Sequence, residues 1–165
     1  MDCAIIPMTE AHLDQVEAME RACFSDPWSR RALEELLLDP RARSLAAVAE
    51  DGTVLGYASA QAVLDEGYIN NVAVRPQSRR QGVASRLLEA LWEWGAARQL
   101  AFLTLEVRAS NAAGQALYAR HGYRAVGRRR DYYRHPREDA ILMTREFTNT
   151  DGTENTEPGG AAQGL

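Results

Sequence analysis

The segment Arg79-Arg80-Gln81-Gly82-Val83-Ala84-Ser85 puts a basic pair and then small side chains where an extended run, NNVAV, gives way to a helical one starting at Val83. At such a junction the first helical turn leaves its N–H groups without partners, and the helix dipole adds positive potential. A glycine there lets the main chain approach a ligand closely, so the segment suits a pyrophosphate. The spacing is neither GxxxxGK[ST] nor GxGxxG, and an arginine-rich turn ahead of a helix is also at home in plain solvent. Downstream, Glu106 stands in LTLEVR among apolar neighbours. Desolvation there would raise its pKa and move it toward a useful general base; the alternative is an edge-strand carboxylate paired with Arg108. Tyr118 in QALYARHGY follows Asn111 by two helical turns and shares its face. Taken alone, Asn111 reads equally as a helix cap and Tyr118 as a half-buried aromatic with its hydroxyl in water.

A scaffold for these groups is available. The chain has 165 residues, 45% apolar and 25% charged, enough for one domain with a real core and no disulfides. CAIIP predicts a short strand. Thr9 caps a helix with apolar positions Leu13, Val16, Met19 and Cys23, and after FSDPW, Ser29 caps a second helix ending near Asp39-Pro40. SLAAVAE and TVLGYASAQAVLD flank a DG turn and predict a hairpin, with GYINNVAV as a third strand. The helix Val83 to Arg98 buries Leu87, Leu88, Leu91 and Trp92. AFLTLEV is a strand, Asn111 to His121 a helix closed by Gly122, and YRAVGRR and DAILMTREF two last strands. The order β-α-α-β-β-β-α-β-α-β-β is an α+β or mixed α/β sheet, with residues 1–147 as the domain. Residues 148–165 are polar and Gly/Thr-rich and are expected to be disordered.

Charge is uneven. Residues 1–70 hold 13 acidic and 5 basic groups, residues 71–147 hold 7 and 14, and residues 148–165 hold 3 and none. The basic half favours an anion, and its basic residues are all arginine, whose planar guanidinium suits phosphate. The acidic half and the lack of a nucleic-acid motif argue against direct DNA or RNA binding. Cys3 and Cys23 form no CxxC, and with His12, His121 and His135 they supply no zinc ligand set, so no metal is expected. No run of about 18 uncharged apolar residues occurs and the start MDCAIIPMTEAHLDQ has no basic-then-apolar leader, which predicts a cytoplasmic protein off the membrane.

With the stretches FSDPWS, NNVAVRP, RRQGVASRLL, LEVRASNAAGQALYARHGY and RRRDYYRHPREDAILM, the sequence resembles the GNAT acetyltransferase superfamily over about residues 5–147. Arg79, Gly82 and Ala84 meet its Q/R-x-x-G-x-G/A loop, and the likeness is greatest to the RimI branch, protein N-terminal alanine acetyltransferases that modify a ribosomal protein. The resemblance implies a mixed, mostly antiparallel central sheet flanked by helices, with acetyl-CoA in a splay between the strands ending NVAV and containing LEV. It implies pantetheine contacts from the backbone of Val72, Ala73 and Val74, and pyrophosphate contacts from Arg79, Arg80, Gln81, Gly82, Val83, Ala84 and Ser85. It adds a side-chain contact from Asn111, Glu106 as base through water, and Tyr118 as proton donor to the coenzyme A sulfur. Val72 and Val74 read equally well as core valines, and His121 reads as a helix-end cation.

Transfer to an amine needs the neutral amine. At neutral pH deprotonation costs about 1 kcal/mol for an α-amino group and about 4.6 kcal/mol for lysine, which favours an N-terminal substrate with one modest base. Asp26, Glu34 and Glu35 either draw a cationic peptide start or form a solvated face. In the resembling family the loop between the first two helices and the C-terminal hairpin wall the peptide groove, which makes Tyr132 and Tyr133 candidates to order substrate. The competing expectations are a GNAT acting on another peptide or small amine, and an acyl-CoA-binding regulatory module without transfer activity.

Overall fold

The computed structural model describes residues 2–147; Met1 and the tail 148–165, predicted to be disordered, lie outside the described residues. The elements in chain order are β1 (Cys3–Pro7), α1 (Leu13–Cys23), α2 (Arg30–Leu38), β2 (Ala42–Ala49), β3 (Val54–Val63), β4 (Glu66–Val74), α3 (Val83–Ala97), β5 (Phe102–Arg108), α4 (Ala112–Arg120), β6 (Arg124–Arg134) and β7 (Arg137–Glu146). Local chemistry sets their ends. The Thr9 hydroxyl accepts from Ala11 N at 3.2 Å in a short 3-10 turn that runs into α1, and Ser29 accepts from Ala32 N at 3.1 Å to start α2. The β2–β3 turn is held by Thr53 N donating to Asp51 Oδ1 at 3.0 Å, with Gly52 at φ +90°.

The seven strands form one sheet in the order β1-β2-β3-β4-β5-β7-β6. Every neighbouring pair is antiparallel except β4 and β5. Helices cover both faces. On one, Leu87, Leu88 and Leu91 of α3 pack on Leu103, Leu105 and Val107 of β5; on the other, Leu13 and Val16 of α1 and Leu33 of α2 pack on Val54, Tyr57 and Ala73. Full burial of each such leucine contributes about 1.5–3 kcal/mol. The stripe of α3 differs from expectation at one residue: Trp94, three residues beyond Leu91, is buried, whereas Trp92 is only partly so and stacks on Phe147 at 3.6 Å. Helical periodicity explains it, because Leu87, Leu91 and Trp94 share a face and position 92 turns toward its edge. Among the described residues no helix is long and apolar enough to cross a membrane.

Candidate active site

The parallel pair is short. β4 and β5 are in register only at Glu66–Phe102, Gly67–Leu103 and Tyr68–Thr104; beyond these the strands part while β4 stays bonded to β3 as far as Gly56–Val74. The register of β4 against β3 jumps from Ile69–Ala60 to Asn71–Ser59, so Asn70 is a bulge residue where the strands separate. The separation opens a cleft of about 670 Å³ whose lining includes Val72, Glu106, Asn111 and Tyr118. Residues singled out in the sequence for the cofactor and for catalysis thus meet there. Ala73 is buried in the core, and the segment 79–85 lies past the end of β4, outside this lining.

That segment has the geometry of an anion cradle. Gly82 is the N-cap of α3 at φ +83° with no side-chain cap, and a Cβ built on it would meet nothing within 4 Å. The first-turn amides of Val83, Ala84 and Ser85 are left without a side-chain cap, and the space beside Gly82 is open. Arg80 also has positive φ, at 65°. The side chains contribute differently. Val83 is a buried core residue, and Arg79 turns back, its Nε donating to the Val74 carbonyl at 3.0 Å and its Nη2 to Cys23 Sγ at 3.4 Å. Gln81 Nε2 donates to the Gln77 carbonyl at 3.4 Å, and Ser85 Oγ lies 2.9 Å from His121 Nε2. Asn111 Oδ1 accepts from Gly114 N at 2.8 Å, so its cap role is present without a ligand.

Glu106 sits on an interior strand between β4 and β7, not at an edge. Its carboxylate side chain is 25% exposed and accepts from Arg129 Nε at 2.9 Å, so neither full desolvation nor the Arg108 pair holds. Arg108 is drawn away by Glu138 at 3.1 Å and by the carbonyls of Pro136 and His135 at 3.0 and 3.3 Å. Tyr118 is partly buried, and desolvation pushes its phenol up to about 12, so it is protonated and a donor across the ordinary pH range.

The α1–α2 and β6–β7 walls of the cleft are tied together. Ser25 Oγ donates to the His135 carbonyl and His135 Nδ1 lies 2.8 Å from Asp26 Oδ1, joining the α1–α2 segment to the β6–β7 turn. Arg108 lies 4.3 Å from the centre of the Tyr133 ring, and Tyr132 packs edge-on to Tyr133; both tyrosines line the cleft. Glu34 and Glu35 instead pair along α2 with Arg30 and Arg31 at 3.5 Å, as a solvated face. Sequence reading missed Glu20, Asn71 and Arg129. Glu20 was visible as an acid at a core helical position, four after Val16 and three before Cys23.

The Acetyltransferase (GNAT) family matches residues 13–123. The [ribosomal protein bS18]-alanine N-acetyltransferase of Escherichia coli strain K12 is 46% identical over 96 residues, 57% of this chain and 65% of that protein. The N-alpha-acetyltransferase RimI of Mycobacterium tuberculosis is 31% identical over 145 residues, 84% of this chain and 89% of that one. The crystal structure of the ribosomal-protein-S18-alanine N-acetyltransferase from Escherichia coli superposes with a TM-score of 0.81 at 33% identity, covering 91% of this chain and 98% of that one. The strand splay, the open α3 N-terminus and these likenesses agree: the chain belongs to the GNAT acetyltransferase family.

Proposed function

We propose that this acetyltransferase is of RimI type and moves an acetyl group from acetyl-CoA to the α-amine of a protein beginning with alanine, the substrate being a small-subunit ribosomal protein of the S18 kind that its relatives are named for. The observation that carries the reading is the cleft at the β4–β5 parting, which has Glu106 and Tyr118 in one lining and a bridged wall on the peptide side. Residues 1–147 are the catalytic unit in this reading.

The residues present fit acetyl-CoA. The free edge of β4 at Val72–Val74 offers main-chain groups to pantetheine, and the uncapped amides from Arg80 to Ser85 face its pyrophosphate, with Gly82 leaving room. Bound there, acetyl-CoA supplies an activated thioester carbonyl. Glu106 takes the proton of the incoming ammonium, directly or through water, and Arg129 holds its carboxylate in place from the far side. Tyr118 gives its proton to the departing sulfur and is reprotonated as the nitrogen sheds its second proton to form the amide, and Asn111 steadies the start of the helix that carries it. The transfer is direct; neither cysteine is assigned a covalent step.

Thiol release tests the reading. Acetyl-CoA alone is expected to be stable with the enzyme, and addition of a hexapeptide starting with alanine is expected to release free thiol steadily. Tight acetyl-CoA binding without release, whatever peptide is added, would instead identify a regulatory acyl-CoA module.

A further inference from the structure

Glu20 is fully buried in α1, yet it borders the cleft. An ionised carboxylate without water is costly unless donors surround it, and here three do. The Trp28 amide donates to Oε1 at 2.7 Å; the Tyr57 hydroxyl and Asn71 Nδ2, the latter at 2.7 Å, donate to Oε2. Asn71 Nδ2 also lies 3.0 Å from the Tyr57 oxygen, which closes the network. Burial raises the carboxyl's pKa, and the bonds from Tyr57 and Trp28 pull it back.

Two of the donors, Trp28 and Asn71, line the cleft, while Tyr57 lies in the core beneath it. Trp28 ends the α1–α2 segment that meets His135, while Asn71 follows the Asn70 bulge where β4 leaves β5. Other contacts hold α1 to the sheet: Cys23 Sγ donates to the Val74 carbonyl at 3.8 Å, and Leu13, Val16 and Met19 pack with Tyr57 and Ala73. Weakening the Glu20 network therefore loosens one tie without undocking the helix. Resting on the acyl-transfer reading of the cleft, we propose that Glu20 is a positioning residue: its carboxylate fixes the peptide wall at Trp28 to the donor strand at Asn71, and so sets where the amine meets the thioester. A buried acid serving stability alone would be replaceable by an apolar side chain with little loss of substrate recognition.

The test uses the full chain. Glu20→Gln keeps an acceptor for Trp28 but turns the other end into a donor facing Asn71. Its KM for the alanine peptide is expected to rise at least roughly 10-fold while KM for acetyl-CoA stays within about 3-fold, and Tyr57→Phe, which removes a single donor, is expected to give a smaller rise. A lower melting temperature with an unchanged peptide KM overturns the proposal. Asn71→Ala reads the same tie without catalysis: it removes one donor to Glu20 and leaves Glu20 and Trp28 themselves unsubstituted. Hydrogen exchange at the Trp28 amide is expected to quicken at least roughly 10-fold while the Leu91 amide in α3 keeps its protection. Equal exchange at Trp28 in both chains overturns the proposal even if acetyl transfer is normal. Absence of peptide acetylation by the unaltered chain defeats the underlying reading and leaves the exchange measurement to decide the tie.

Discussion

The two sides of the cleft are built from different parts of the chain. Along β4 and the first turn of α3 the contacts on offer are main-chain groups: a strand edge left open past Tyr68 and an uncapped helix start at Gly82. On the peptide side they are side chains that hold one another across long stretches of sequence, as Asp26 does with His135. A main-chain surface needs only small residues and the right turn, so it tolerates most side-chain changes except those that alter backbone conformation. A side-chain surface fails piecemeal, one pair at a time.

Glu106 stands between the two sides, and its loss should be the most severe. Glu106→Gln is expected to lower turnover by roughly 10²–10⁴ while acetyl-CoA affinity stays within a few-fold, because it removes the proton acceptor and the charge paired with Arg129 but leaves the main-chain cofactor contacts in place. Steady-state rates with calorimetry check it; unchanged turnover makes Glu106 a structural partner of Arg129. On the main-chain side, Gly82→Val puts a β-branched residue at φ +83° and a side chain in the open space before the α3 amides. A roughly 100-fold loss of acetyl-CoA affinity is expected, with a milder, salt-dependent loss for Arg80→Ala. Wild-type affinity in Gly82→Val would remove the cradle.

Tyr118→Phe should slow turnover roughly 10-fold with the fold intact. Because burial pushes the phenol up to about 12, the donor stays protonated well past the ordinary tyrosine range, and the ratio of wild-type to variant rate is expected to remain level from pH 7 to 10. A ratio that collapses near pH 10 would mean a solvent-exposed phenol. The smallest effect belongs to the surface bridge. His135→Ala removes a side-chain contact with Asp26 whose partners are 69% and 56% exposed, and peptide KM should rise only about 2–5-fold.

The same division explains what could be read from sequence. The element order, the caps at Thr9, Ser29 and Asn111, and the turn at Gly82 are local statements, and each appears in the structure. The partner of Glu106 is not local. Arg108 is two residues away on the same strand face, but β7 and the displaced β6 bring Glu138 to Arg108 and Arg129 to Glu106 instead. The irregular register between Arg129 and Tyr133, with Asp131 at φ 52° held by Asp139 Oδ1 at 2.9 Å, is what aims that arginine and both tyrosines, and no short pattern states it. Glu20 falls between these cases: its position in the helical stripe was legible, but its three donors come from Trp28, Tyr57 and Asn71.

The most direct test of the account is to locate the acetyl group. Two peptides are compared by mass spectrometry across pH 7 to 10: one begins with a free alanine, and the other has a blocked N-terminus and an internal lysine. The account predicts acetylation of the alanine α-amine at pH 7 with the lysine peptide much slower, and a gap that narrows as pH rises toward about 10, where the extra deprotonation cost of lysine of about 3.5 kcal/mol fades. Equal rates at pH 7, or preference for the lysine, would contradict it.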